Sequence, residues 1–478
     1  MSSKMMLKGR ILLFSITGCK HCKAAKSKLE LLELPYFEVN LDNHPNERAT
    51  MTKLTNQHSV PQIFFNDKHI GGNAEFQELS DEALQTLIAY VRDNEAPENT
   101  PQPLKANELD ADARVSDKMD ELSSLVEALR EQNGIVHDHR HFIRSYPNTF
   151  TGEDAITFIA QEKGLDRTAA LEIAQQLITK KFAAALKEGI PMKDDKTLYR
   201  FMQDWPSNAL NAGLAAYKSI TLASELSILI RKSILKLYGS YLSNDGKMVD
   251  YTGLGQSPEF EDYVQLSAQL QRVQAETLSR GEKLAFFINI YNALVIHGNV
   301  KIGFPNTTWQ RYKFFNDAKY IIGGHSYSLQ DIENGVLRSN RKGVGMLSKP
   351  FSKSDPRMKT ILHSNEPLVH FALVCGAKSC PPIKTYSHDN VMNELEIAAA
   401  AFLESDDGCC VDIEKNMIGL SMIFKWYKED FGETPYEVLK WVRNHMSLGD
   451  KKQHLTKLLE EKVYKLVYLT YDWGSNGK

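Results

Sequence analysis

The hydrophobic period along this 478-residue chain changes several times, and each change predicts an element. Residues 10–16 form a continuous apolar run (Ile11, Leu12, Leu13, Phe14, Ile16), which is the pattern of a buried strand, and residues 22–34 place Ala25, Leu29 and Leu32 at helical spacing. Residues 36–41 predict a second strand, 57–65 lead into a third, and 81–93 predict a helix. Residues 94–103 are polar, carry three prolines and have no apolar period, which is linker composition. Beyond them, residues 116–132 predict a helix with Met119, Leu122, Val126 and Leu129 on one stripe. Thr151, with Asp154 three residues on, predicts a capped helix through Ala160; a further helix is expected over 169–180, and a short β-element ends at 196–201.

The remainder opens with helical periods at 223–242 and 260–278. Ser279-Arg280-Gly281-Glu282 is a capping box that starts a helix over 283–297, apolar nearly all round and therefore buried. Asn289, Asn292 and His297 in that helix need partners inside the protein, since an unpaired buried amide costs about 1–3 kcal/mol. A hairpin is predicted over 320–329, a helix over 330–338 with Glu333 and Arg338 near its ends, and a buried strand over 368–375 that breaks at Gly376-Ala377-Lys378-Ser379-Cys380-Pro381-Pro382. A helix over 393–403, a strand over 409–413, helices over 424–430 and 435–446, and an aromatic-rich end at 467–473 complete the pattern.

With 42% apolar and 24% charged residues, the chain is globular and long enough for about three domains. The expected boundaries are 1–95, a linker at 96–115, then 116–204 and 205–478. A formal charge of −3 gives no global attraction to nucleic acid, and none is expected as a partner. The first residues lack the apolar core of a secretory signal, and no stretch approaches the ~20 apolar residues of a membrane span. Six cysteines in so long a chain do not make a disulfide framework, so a reducing compartment, the cytosol, is expected.

Chemistry concentrates first at Cys19-Lys20-His21-Cys22. A strand running into a helix puts Cys19 at the helix start, where unpaired N–H groups, the helix dipole, and positive charge from Lys20 and His21 favour a thiolate. A lowered thiol pKa is the expected result. Cys22, one turn on, is placed to attack a mixed disulfide formed on Cys19. A lone C-x-x-C also suits half a zinc site, but no second such pair follows, and no metal is expected. With the Ser59-Val60-Pro61 loop and His69-Ile70-Gly71-Gly72 added, the first hundred residues resemble the glutaredoxin family. That resemblance implies a thioredoxin-like α/β fold, a cis Pro61, Cys19 as nucleophile, Cys22 as resolving thiol, and glutathione as cofactor. It also implies a glutathione cradle of Lys20, Gln57, Val60, Pro61, Gly72 and Asn73, and protein disulfides or glutathione mixed disulfides as substrates. Ile16 and Ala74 stand where the family commonly carries a lysine and an aspartate.

The middle stretch, through Phe150-Thr151-Gly152, Arg167, Ala174-Gln175-Gln176-Leu177 and Leu198-Tyr199-Arg200-Phe201, resembles the DEP domain family over about 116–204. The resemblance implies an α+β winged-helix-like fold that docks on membrane surfaces or signalling proteins. Arg140, Arg144, Lys180, Lys181 and Lys187 could form a small basic face, although solvated surface charge is the plainer reading.

The last stretch resembles a family of unknown function, DUF547, over about 220–475. The similarity rests on residues 285–294, 331–334, 370–382, 423–427 and 471–473, and a larger mixed α+β domain is expected. Cys380, just past an apolar run and two residues after Lys378, has the setting of a nucleophile; His297 and His370 are candidate bases and Asn289 or Asn292 a candidate orienter. Pro381 and Pro382 cannot donate the N–H groups of an oxyanion hole, and core networks are the competing reading. The chain is thus expected to be a glutathione-linked thiol–disulfide oxidoreductase tethered to a docking module and an uncharacterised domain. The alternatives are a non-catalytic redox-sensing, iron–sulfur or partner-binding adaptor, or a cysteine hydrolase or transferase at the C-terminal end.

Overall fold

The computed structural model describes residues 7–477 apart from 17–18, 42–43, 45–46, 104–118, 132–133, 142–143, 220–221, 245–247, 375, 377–384 and 475. The first stretch is built on a four-stranded sheet in the order Phe37–Asn40, Ile11–Ser15, Gln62–Phe65, Lys68–Gly71. Ile11–Ser15 runs parallel to Phe37–Asn40 and antiparallel to Gln62–Phe65, and the helix Lys20–Leu31 is the crossover between the parallel pair. All five residues of Ile11–Ser15 are buried, because helices cover both faces of this strand, and that is why its sequence is continuously apolar. Ile11 and Leu13 pack with Ala25, Leu29, Phe76 and Val91 on one face; Leu12 and Phe14 pack with Cys19, Cys22, Val39 and Phe64 on the other. The strand's alternation thus places both thiols on a single side of the sheet. Part of the predicted linker is held against this sheet: Arg10 donates to the side-chain amide oxygen of Gln102 at 2.9 Å, and Thr100 is buried.

In the middle stretch the strands His137–His141, Arg144–Thr151, Leu198–Phe201 and Ala183–Ala185 form a sheet in that order, beside the helices Ser123–Arg130, Gly152–Lys163 and Arg167–Thr179. Thr151 caps its helix by accepting from the Asp154 N–H at 3.1 Å, and Asp166 caps the next from Ala169 at 2.9 Å. The helix predicted over 116–132 is shorter, since Asp120 turns aside. One carboxylate oxygen accepts from the Leu122 N–H, and the other takes Arg272 of the third stretch at 2.8 Å. Arg272 is buried, also donates to the Lys180 and Ala216 carbonyls, and lies 3.6 Å from the Phe182 ring centroid. The basic face considered above loses two members to the same seam. Lys180 pairs with Asp120 and Glu121, and Lys181 bonds Glu276 and the Gly323 carbonyl.

The third stretch is organised by the helix Arg280–Lys301, buried at every residue from Lys283 to Asn299 and packed along Ala223–Ser240. Its capping box forms as read, Ser279 and Glu282 each accepting the other's N–H. The expected helix over 260–278 is broken into Pro258–Ala268 and two short 3-10 turns, because Gln271 and Arg272 leave it to bond backbone carbonyls of residues 211–218. The expected helix over 330–338 is a π-helix, Asp331–Leu337, with the Arg338 N–H on the Glu333 carbonyl at 2.9 Å. The expected strand over 368–375 is instead the 3-10 turn Pro367–Phe371. Proline at its first position and a Glu366 cap favour the turn, and a short apolar run does not by itself distinguish strand from buried helix. The helix over 424–430 divides into Ile423–Trp426 and Lys428–Phe431. Strands Cys409–Asp412, Met417–Leu420 and Lys465–Tyr468 form a sheet. The helices Thr308–Asp317 and Asp450–Glu461 were not foreseen. Among the described residues no helix is long and apolar enough to cross a membrane.

The buried polar groups of Arg280–Lys301 are paired with backbone. Asn292 donates to the Ala372 carbonyl at 2.9 Å and accepts from the Val374 N–H at 2.8 Å; Asn289 does the same with both backbone groups of Tyr386 at 2.8 and 3.0 Å. Two amides on successive turns therefore clamp the backbone at residues 372–374 and at residue 386 to one helix. His297 shares its Nδ1 with the Tyr320 hydroxyl at 2.7 Å, and burial pushes its imidazole down to about 3.

Replacing Asn292 by alanine leaves Ala372 O and Val374 N–H unpaired and should cost about 2–3 kcal/mol in chemical denaturation; a loss under about 0.5 kcal/mol contradicts the clamp. His297 binds its proton less readily folded than unfolded. Its contribution is therefore intact above pH 6.5 and lost as pH falls toward 3, by up to about 1.4 kcal/mol per pH unit. Stability measured from pH 7 to 5 should fall less steeply in His297→Gln than in the parent; equal slopes contradict a neutral core histidine.

Candidate functional site

Strand Ile11–Ser15 delivers the chain to Cys19, which is the N-cap of Lys20–Leu31 with extended backbone (φ −80°, ψ 117°). Its Sγ accepts from the Cys22 N–H at 3.2 Å, so the sulfur occupies the place a serine or aspartate oxygen usually takes at a helix start. Cys19 and Cys22 are both buried, at 4% and 1% exposure. Burial, then hydrogen bonding to Cys19 and the charge of Cys19, push the Cys22 thiol well above its ordinary range. The proton on Cys22 is thereby tightly held. His21 does not supply the second cation expected from the sequence, because desolvation and the neighbouring Lys20 push its imidazole below its ordinary value. Lys20 stands exposed on the first helical turn.

The Val60–Pro61 bond is cis, and Val60 packs against the apolar cluster that contains both cysteines. The loop is held from behind by Gln62, which is buried, donates to the Ser59 carbonyl at 3.0 Å and meets His69 Nε2 at 2.6 Å. A Cβ on Gly72 would lie 3.4 Å from the Pro61 carbonyl oxygen and 3.2 Å from a Glu75 oxygen, so a glycine lets this turn approach the cis-proline loop. The Gly72 N–H donates to Glu75 Oε2 at 2.9 Å. The fold thus brings together Cys19, Cys22, Val60, Pro61 and Gly72. Gln57 sits on the exposed turn before this loop, and Asn73 opens the helix Asn73–Glu78, accepting from Gln77 at 3.1 Å. Glu75 and the Gln62–His69 pair were missed in the sequence. Glycine followed three residues later by glutamate, just before a helix, was the available signal for Glu75. A cleft of about 420 Å³ beside the thiols is lined by Lys23, Lys26 and Glu38, and by Lys236 and Ser240 at the end of Ala223–Ser240.

The C-terminal candidates separate. Cys380 lies outside the described residues. His297 is a core histidine bonded to Tyr320, and Asn289 and Asn292 bond backbone, so none of the three serves an imidazole as orienter or base. His370 instead meets Asp430, Nε2 to Oδ2 at 2.8 Å, and stacks on Tyr427 at 4.1 Å between centroids. Asp430 also accepts from Arg338 Nε at 2.5 Å and Arg341 at 2.7 Å. Burial alone would raise its carboxyl, but the bonds from His370 and Arg338 outweigh this and hold it well below the usual carboxylate range. Among the described residues no group of three side chains is arranged to hold a metal ion.

Three family profiles match the chain in sequence order. They are glutaredoxin over residues 11–70, the domain found in Dishevelled, Egl-10 and Pleckstrin (DEP) over 135–201, and a protein of unknown function, DUF547, over 275–403. Glutaredoxin-2 of Schizosaccharomyces pombe is 36% identical over 90 residues, which is 18% of this chain and 82% of that protein. Glutaredoxin 1 of Rickettsia bellii is 34% identical over 76 residues, 15% of this chain and 78% of its own length. Glutaredoxin-1 of Saccharomyces cerevisiae is 31% identical over 97 residues, 18% of this chain and 88% of its own length. The stretch that carries the helix-capping thiol thus belongs to the glutaredoxin family, in a multidomain chain that continues into DEP and DUF547 segments.

Proposed function

We propose that the chain is a glutathione-linked thiol–disulfide oxidoreductase in which Cys19 is the nucleophile and Cys22 the resolving thiol. The carrying observation is the helix-end N–H on Cys19 Sγ, an arrangement that favours a thiolate, beside a Cys22 thiol that burial and its neighbour push upward. The Cys19 thiolate attacks one sulfur of a substrate disulfide, and the other sulfur leaves as a thiolate and takes up a proton. The Cys22 thiol then loses its proton and attacks Cys19 Sγ, releasing the second substrate thiol and leaving a Cys19–Cys22 disulfide. Two glutathione molecules restore the dithiol and leave as glutathione disulfide. When the substrate is already a glutathione mixed disulfide, Cys19 alone takes the glutathionyl group and a second glutathione removes it.

The backbone of Val60, beside the thiols, and the turn at Gly72 offer extended edges for a peptide-like ligand, with Lys20, Gln57 and Asn73 around them. Glu75 occupies the Gly72 N–H and brings a negative charge to that turn, so the glutathione carboxylate must displace it. The DEP segment is read as a docking module for a protein partner or a membrane surface that brings substrate to the thiols.

Cys19→Ser should abolish glutathione-coupled reduction of both substrate types. Cys22→Ser should retain turnover on a glutathione mixed disulfide and lose it on protein disulfides; full activity of Cys19→Ser on either contradicts the assignment, and no turnover by the parent protein itself favours a non-catalytic adaptor. Glu75→Gln should lower the KM for glutathione about fivefold, the effect of about 1 kcal/mol, with kcat for the mixed disulfide unchanged. A KM that stays the same or rises shows that Glu75 does not compete at this turn.

A further inference from the structure

The DUF547 segment holds two adjoining clefts that share one wall, Trp426. The inner one, about 140 Å³, is walled by Tyr291, Glu333, His370, Tyr427 and Trp473 together with Trp426. That volume is close to the roughly 150 Å³ at which an apolar cavity accepts a benzene ring. Its polar groups are pre-arranged. Glu333 accepts from the Tyr427 hydroxyl at 2.6 Å and the Tyr291 hydroxyl at 3.3 Å, and Asp430 holds His370. Glu333 comes from the π-helix Asp331–Leu337, a rare turn that recurs at functional sites because its extra residue re-aims side chains.

The outer cleft, about 760 Å³, carries Arg341, Lys342, Lys349, Lys425 and Lys428 against only Glu429 and Glu433. Arg341 is spent on Asp430, while among the described residues no ion pair engages the four lysines. Uncompensated cations around a concavity attract anions and focus their field there. Aromatic walls beside them favour a flat ring.

We propose that the DUF547 segment binds a small phosphate monoester carrying a single planar ring, the ring seated against Trp426 in the inner cleft and the phosphate on the lysines of the outer one. This site is separate from the thiols and independent of their chemistry. The test uses the full chain and tryptophan fluorescence, with phenyl phosphate, phenol and inorganic phosphate as probes and calorimetry as a second measure. Phenyl phosphate should give saturable quenching that is lost in Trp426→Phe, and it should bind more tightly than either fragment. The double change Lys425→Gln, Lys428→Gln should weaken it about tenfold, a loss of about 1.4 kcal/mol, with an unchanged melting temperature, whereas Cys19→Ser should leave binding as it was. No saturation at millimolar phenyl phosphate, binding equal to that of inorganic phosphate, or indifference to the lysine changes each overturns the proposal.

Discussion

A single hydrogen bond, from the Cys22 N–H to Cys19 Sγ, joins the two thiols of the N-terminal stretch at a helix start, and the proposed chemistry depends on it. It requires a strand that ends just before the cysteine, a helix that starts just after it, and a sheet face that buries the second sulfur. Each is supplied by the apolar run Ile11–Ser15 and the crossover helix Lys20–Leu31. The Cys19 sulfur accepts a helix-end N–H, and the Cys22 sulfur, buried beside it, is pushed above the ordinary thiol range.

The rest of the chain shows a different economy of polar groups. Arg272 and Asp120 form a buried, multiply bonded contact between the middle and last stretches of the chain, and leaving either partner alone would strand a charge. Asn289 and Asn292 fix the backbone of Tyr386 and of Ala372 and Val374 from one buried helix. Buried amides are costly unless paired, and here each makes both bonds its geometry allows to the backbone. Farther along, a different pair of elements holds His370 on Asp430.

Much of this was legible from residue order. The strand–thiol–helix corner, the capping residues Thr151 and Ser279, and the helix Asp81–Asp93 follow from local rules, and all three appear where the pattern places them. The need of Asn289 and Asn292 for internal partners was also legible, though their partners were not, because these lie 80 residues or more away in sequence. What failed depended on tertiary contacts. An apolar run at 368–375 looked like a strand until Pro367 and Glu366 turned it into a 3-10 segment, and Gln271 and Arg272 broke a periodic helix to reach distant carbonyls. His297 and His370 are equally plausible bases in one dimension; only packing separates the one against Tyr320 from the one on Asp430. Glu75 acts through a backbone bond to Gly72, which residue order marks only by a glutamate three places after a glycine.

The most direct test is the ultraviolet absorbance of thiolate as a function of pH in the full chain, comparing Cys19→Ser with Cys22→Ser. The account predicts that Cys22→Ser keeps a thiolate at neutral pH that disappears on acidification, while Cys19→Ser shows none from Cys22 until strongly alkaline pH. A Cys22→Ser protein that remains fully protonated at pH 8, or a neutral-pH thiolate that survives in Cys19→Ser, would contradict it.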